Sequence, residues 1–328
     1  MKVVAEAFGW REDQISPHAG GLINTTYVVR DDAGAPIAAL QKLHSIWAPE
    51  VNLDIDAVTT HLAARGLVTP RLVHTRDGRA WVDDGGAVWR ALTWVDGQTV
   101  HAVPDPAWAE SAGELVGKFH RAVADLKYDY QFTRAGVHDT AAHLGKLRAY
   151  EASDELAREI LAAAATLPAL PVGPRRHVHG DLKISNVIFR DAKAVALVDL
   201  DTFANGTLAF ELGDAMRSWC NPRGEDAGSV RFELPIFAAA IRGFRAVADP
   251  IVSRDERIAI VIGLETVCLE LAARFCVDIH EDRYFGWDAA RFPSRRAHNE
   301  VRARGQLALG LAVRAARSDA MSIVNSGT

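Results

Sequence analysis

His177-Val-His-Gly-Asp-Leu-Lys-Ile-Ser-Asn-Val-Ile-Phe189, with Val195-Ala-Leu-Val-Asp-Leu-Asp201 shortly after it, decides how the chain is read. Each segment holds a short apolar run of the kind that forms a buried strand. Polar residues cluster where those runs begin and end: His179, Asp181, Lys183 and Asn186 before the first, Asp199 and Asp201 after the second. Two readings compete for them. His177, His179 and Asp181 alternate along an extended segment and could face one metal ion, as in a metallohydrolase. A further ligand would be expected beside Asp181, but residue 182 is Leu.

The second reading takes His179-x-Asp181-x-x-x-x-Asn186, an apolar strand and then Asp199 as a phosphotransfer loop. Phosphoryl transfer needs positioning and charge neutralisation more than covalent help. Asp181 is placed to orient an attacking hydroxyl. Asn186 and Asp199 offer oxygen ligands to Mg2+, with Asp201 assisting. Lys183 lies two residues beyond Asp181, within reach of the transferring group.

This reading makes demands on the chain before residue 96. Strand-like runs dominate there: 26–30, 37–43, 71–74, 80–82 and 88–95. One helix interrupts them, with Val51, Ile55, Val58 and Leu62 on a single apolar stripe and Gly66 ending it. Lys42 ends a strand and is the candidate to grip the nucleotide α/β-phosphates; an exposed strand end is the plainer alternative. Asp54 lies nearer the apolar stripe than Asp56 and is the candidate partner of Lys42, with a solvated carboxylate as the alternative. Gly20-Gly21-Leu-Ile-Asn24-Thr25-Thr26 is a turn whose amides, with Asn24 and Thr25, suit phosphate cover. Trp94 and Val95 end the strand expected to read adenine.

After residue 96 helical patterns dominate: 105–126, 138–166, 211–220, 229–247, 254–279 and 294–316. An α+β, two-lobed chain is therefore expected, with a β-rich lobe over 1–95 and a mainly helical lobe over 96–328. The final residues from Asp319 are expected to fray. The 328 residues are 49% apolar with net charge -5, which argues against nucleic acid or an anionic membrane as partner. No apolar run is long enough to span a bilayer. Three cysteines without a CxxC pair suit a reducing cytoplasm. Basic residues comprise 30 Arg and only 7 Lys, which singles out Lys42 and Lys183.

Together these residues resemble the aminoglycoside phosphotransferase and choline kinase superfamily, a small-molecule branch of the bilobal protein-kinase-like fold. Gly180 stands where protein kinases carry Arg, and no Ala-Pro-Glu follows Asp199. The chain also resembles the N-acetylhexosamine 1-kinases in Gly21-Leu-Ile-Asn-Thr-Thr-Tyr27, Leu40-Gln-Lys42, Val198-Asp-Leu-Asp-Thr202, Leu212-Gly-Asp-Ala-Met-Arg217 and Glu270-Leu-Ala-Ala-Arg-Phe275. That resemblance implies ATP and Mg2+ as cofactors and a sugar acceptor phosphorylated at its anomeric hydroxyl. It places Arg274, Tyr284, Arg217 and Asn221, with Asp181, among the substrate residues. An ion pair with Glu270 is the structural alternative for Arg274, surface packing for Tyr284, and support of the loop that presents Asp199 for Arg217. Other small-alcohol kinases, including aminoglycoside and hexosamine 6-kinases, and a nucleotide-binding pseudokinase are the rival functions.

Overall fold

The computed structural model describes residues 1–18, 23–134 and 136–326. Helix α1 (Lys2–Phe8) leads into strands β1 (Ile15–Pro17), β2 (Thr25–Arg30) and β3 (Pro36–Lys42). Helix α2 (Val51–Ala64), then β4 (Leu72–Val73), β5 (Val82–Asp84) and β6 (Ala87–Thr93) complete the first part. All pairings are antiparallel, in the order β1-β2-β3-β6-β4, with β5 on β6. Strand alternation sorts the two faces. Ala38, Leu40, Trp89 and Ala91 pack toward α1, with Val4 and Phe8. Leu92 instead joins Ile55, Val58 and Leu62 of α2.

The rest of the chain is largely helical. Helices α3 (Pro106–Ala122), α4 (Thr140–Leu147) and α5 (Glu155–Ala164) precede strands β7 (Arg176–Val178), β8 (Val187–Arg190), β9 (Lys193–Leu197) and β10 (Ala204–Gly206). Then follow α6 (Leu208–Trp219), α7 (Leu234–Ala248), α8 (Arg254–Glu281), α9 (Arg295–Ala315) and α10 (Arg317–Asn325). β8 pairs with β9 and β7 with β10, so both motif segments become hairpin strands. α6 lies against α8 through a glycine crossing: a Cβ on Gly213 would sit 2.7 Å from the Gly263 carbonyl carbon. α6 can approach that closely because neither helix carries a side chain there.

Several expectations shift. The 138–166 helix is two helices, because Asp154 caps α5 through the Leu156 and Ala157 amides after a break. The segment expected to fray from Asp319 is helix α10, anchored by buried Ala320 and Val324. Strand β6 stops at Thr93, so Trp94 and Val95 lie just beyond it. The apolar core does not divide with the two lobes. Ile55, Val58 and Leu62 of α2 share one cluster with Leu115 and Phe119 of α3 and with Leu200 and Phe203. Between β6 and α3, Gly97 has φ +142° and lies so close to β8 that a Cβ would meet the Phe189 carbonyl oxygen at 2.6 Å.

Candidate active site

The loop from His179 to Asn186 is held from below by α6. The Glu211 carboxylate accepts the backbone N–H of His179 at 2.8 Å and of Gly180 at 2.9 Å. Trp219 donates its indole N–H to the Leu182 carbonyl at 2.7 Å, and the Ser218 hydroxyl accepts the Ile184 N–H. His179 is fully buried; its Nδ1 accepts the Asp181 N–H, so its Nε2–H donates to the Val198 carbonyl at 2.9 Å. Burial pushes its pKa down, and that neutral tautomer satisfies both neighbours. These bonds tie the loop to the end of β9. His177 is engaged as well, with Leu126 and Tyr130. The metallohydrolase reading fails here, because the imidazole nitrogens are committed to protein partners.

Asp181, Lys183, Asn186 and Asp199 converge at the loop. Lys183 Nζ lies 2.9 Å from the Asp181 carboxylate. Burial works against the ammonium, but Asp181, Asp199 and Asp214 outweigh it and raise its pKa. Asn186 donates its amide N–H to the Asp181 carbonyl, which leaves its side-chain oxygen available. Asp199 sits in the left-handed region, φ 63° and ψ 58°, two residues past the end of β9. Its carboxyl is solvent-exposed on one side and crowded on the other. Lost hydration, then the charges of Asp181 and Asp201, push its pKa up to about 6. A free amide oxygen beside carboxylates that repel one another is a donor set suited to a hard divalent cation.

Asp201 is placed differently from its expected role. Its carboxylate is fully buried and takes both guanidinium arms of Arg90 on β6, with one bond of 2.9 Å. It also accepts the Asn24 amide at 2.7 Å. With those partners Asp201 has no oxygen turned to a metal. Asn24 is committed too, since its side-chain oxygen accepts the His44 N–H. Lys42 shares a strand face with Ala38 and Leu40, the α1 side, and is exposed there. The cation on the other face is Arg90, steadied by Gln41 at 2.9 Å. Asp54 does not meet Lys42. It is buried and accepts Tyr128 O–H and the N–H groups of Gln131 and Phe132 at 2.8–3.0 Å. Thr25 pairs with Lys42 at the strand edge, and Trp94 bonds through its N–H to Ile37. Residues 20–22 of the expected phosphate turn lie outside the described residues.

On the helical side, Arg217 is buried between Asp214 (2.8 Å) and Glu225 (2.9 Å). Asn221 is buried in a turn, bonded to Gly224 and Arg231. Neither is turned to a substrate. Arg274 does not pair with Glu270, which takes Thr140 O–H at 2.6 Å and lies 3.3 Å from His138. Arg274 instead lies over the Tyr284 and Phe285 rings and bonds to the Tyr284 hydroxyl at 3.4 Å. Tyr284 is 54% exposed. Sequence reasoning missed Glu211, Arg90 and Arg134, whose partners stand from 31 to 150 residues away along the chain. One signal for Arg90 was readable: it and Leu92 alternate with Trp89 and Ala91 along β6.

Residues 14–247 match the phosphotransferase enzyme family. A homoserine kinase of Granulibacter bethesdensis is 27% identical over 282 residues, 82% of this chain and 80% of that one. The fold is similar to that of an amicoumacin kinase solved with AMP-PNP, Ca2+ and Ami (TM-score 0.64, 13% identity, 92% and 89% of the two chains). It is also similar to a choline kinase from Cryptosporidium parvum (TM-score 0.63, 11% identity, 98% of each). The protein-kinase-like fold expected from the motifs is thereby shown. Among the described residues no helix is long and apolar enough to cross a membrane.

Proposed function

The chain belongs to the phosphotransferase enzyme family, and from that premise we propose that its cleft transfers the terminal phosphoryl group of ATP, with Mg2+, to a hydroxyl of a small molecule. The observation that carries this reading is the convergence of Asp181, Lys183, Asn186 and Asp199 on a loop anchored by Glu211. Asp181 orients the acceptor hydroxyl and takes up its proton. Lys183, held in its charged form, stabilises negative charge beside Asp181. The Asn186 side-chain oxygen and Asp199 are the residues to hold Mg2+, which neutralises phosphate charge when bound. His179 keeps the loop backbone in place and has no proton to offer, since both nitrogens serve the fold.

For the acceptor, the motif resemblance supports the anomeric hydroxyl of an N-acetylhexosamine. The Granulibacter relative named homoserine kinase supports a hydroxy amino acid as a second reading. Incubation with ATP, Mg2+ and a panel of both classes, with NMR of the product, decides between them. Asp181→Asn is expected to lower kcat by roughly 10²- to 10⁴-fold, the usual contribution of a positioned base. Full turnover in that variant would remove Asp181 from its role. Nucleotide-dependent thermal stabilisation without turnover of any acceptor would make the protein a pseudokinase.

A further inference from the structure

We propose that the acceptor taken by this site carries a negative charge, a carboxylate above all, held between Arg134 and Arg274 beside the Tyr284 hydroxyl. The proposal rests on reading the cleft as a phosphotransfer site. Two guanidinium groups converge on one neutral oxygen: Arg134 and Arg274 both donate to the Tyr284 hydroxyl. Neither has a carboxylate within 4 Å among the described residues, whereas Arg217, Arg302, Arg314 and Arg317 each have at least one. Each instead lies on aromatic faces. Arg134 is 5.6 Å from the centre of the Trp47 ring; Arg274 is 5.7 Å from Tyr284 and 5.5 Å from Phe285. Ring faces steady the cations but do not cancel two like charges aimed at one point. An anion placed there would, through charge-assisted bonds to planar guanidinium forks.

The arrangement is built, not incidental. Buried Asp54 accepts the N–H groups of Gln131 and Phe132 and so fixes the segment leading to Arg134. Buried Asp278 accepts the N–H groups of Arg283, Tyr284 and Phe285 and so fixes the other side. The arrangement lies between the first lobe and the helices that hold the catalytic loop. Trp47, under Arg134, packs with Leu43 and Val51 of the first lobe. Arg274 stands one turn along α8 from Glu270, which neighbours His138. His138 in turn stacks on Phe210, ring centres 4.7 Å apart, next to the Glu211 that anchors the catalytic loop.

A site built of two guanidinium groups disfavours polycationic acceptors and, of the two acceptor readings, favours the hydroxy amino acid over the neutral N-acetylhexosamine. It suits hydroxy acids, amino-acid alcohols and uronic acids alike. The test uses acceptors matched but for the carboxylate: 4-hydroxybutyrate with 1,4-butanediol, L-homoserine with its methyl ester, and glucuronate with glucose. The expected result is a kcat/KM at least tenfold higher for the acid of the pair that is turned over. The pair that works also separates an amino acid from an acidic sugar. Arg274→Gln or Arg134→Gln should raise the KM of that acid at least tenfold while moving the KM for ATP less than twofold, with Arg274→Lys partly restoring it. Neutral members used as well as their acids would overturn the proposal. If neither these acceptors nor any N-acetylhexosamine is phosphorylated, the kinase reading fails, and sodium sulfate then decides the anion site alone. It should raise the melting temperature of the wild type more than that of the Arg134→Gln/Arg274→Gln double variant, and an equal rise overturns the site.

Discussion

At Gly180 the backbone has φ +81°, and a Cβ would come to 2.5 Å from the Thr202 carbonyl oxygen. The same turn binds its carbonyl neighbours tightly, since Thr202 O–H donates to the His179 carbonyl at 2.7 Å. A side chain at residue 180 must therefore displace the turn Leu200–Thr202 that follows Asp199. This is the structural reason that glycine stands beside His179. Gly180→Ala is expected to cost about 1–3 kcal/mol in folding through backbone strain alone, and to lower kcat further by shifting Asp181. Chemical denaturation and initial rates on the same sample check both. Asp199 makes the pH argument. Its folded pKa, about 6, lies above its ordinary value of 3.8. The folded state thus holds this proton more tightly than the unfolded chain does. The cost of ionising Asp199 in the fold is absent below pH 4 and grows as pH rises through 6. Metal competes with the same proton. The Mg2+ concentration for half-maximal rate should be flat above pH 7 and rise about tenfold for each unit below 6. Asp199→Asn should melt higher than the wild type without metal at pH 8; the gap should shrink by about half at pH 5 and close below pH 4.

At the scale of elements, legibility followed the range of the interactions. The β8–β9 hairpin and the α2 stripe rest on neighbours a few residues apart, and periodicity showed them. Lys42 falls on the α1 face, which strand alternation alone did not reveal, because choosing between the two faces of β3 needed α1, which was not foreseen. Asp54 failed for a different reason. Helical geometry placed it correctly near the buried stripe, but its partners are the Tyr128 hydroxyl and the main-chain N–H groups of residues 131 and 132, from 74 to 78 residues away, which no local pattern marks. Asp278 belongs to the same class. At the end of α8 its carboxylate collects three backbone N–H groups and the Asn299 amide. Burial opposes its charge, but these donors outweigh it and hold the pKa below 3.8. A depressed carboxylate stabilises the fold above its unfolded pKa and loses that contribution as pH falls through the folded value. Asp278→Ala leaves several buried donors unpaired, so a loss of about 2–4 kcal/mol is expected at pH 7. The difference from the wild type should shrink as pH drops below 4. A constant difference across that range, followed by denaturant melts, would show that packing and not the carboxylate holds the turn.

Over the whole molecule the two lobes are joined by one continuous apolar cluster and by one buried ion pair. Arg90 and Asp201, 1% and 0% exposed at their side chains, stand 111 residues apart and belong to different lobes. Asn24, within the turn expected over the phosphates, bonds to the same carboxylate. The position of the β-rich lobe is thereby tied to the strand end that carries Asp199. Sequence showed Asp201 but only as one more acid near a metal, because a partner on another lobe leaves no local trace. Buried pairs contribute little net stability, yet removing one partner strands the other charge and typically costs about 3–5 kcal/mol. Arg90→Met should lose stability of that order, and Arg90→Met/Asp201→Leu should recover most of it, since the stranded carboxylate is then gone. The functional consequence separates this pair from ordinary packing. Arg90 is one of the charges that restrain the rise of the Asp199 pKa. Without it Asp199 holds its proton to higher pH, so Arg90→Met should need more Mg2+ than the wild type at pH 6.5 and show little difference at pH 8.5. A variant that is less stable but has an unchanged Mg2+ requirement at both pH values would confine the pair to holding the lobes together.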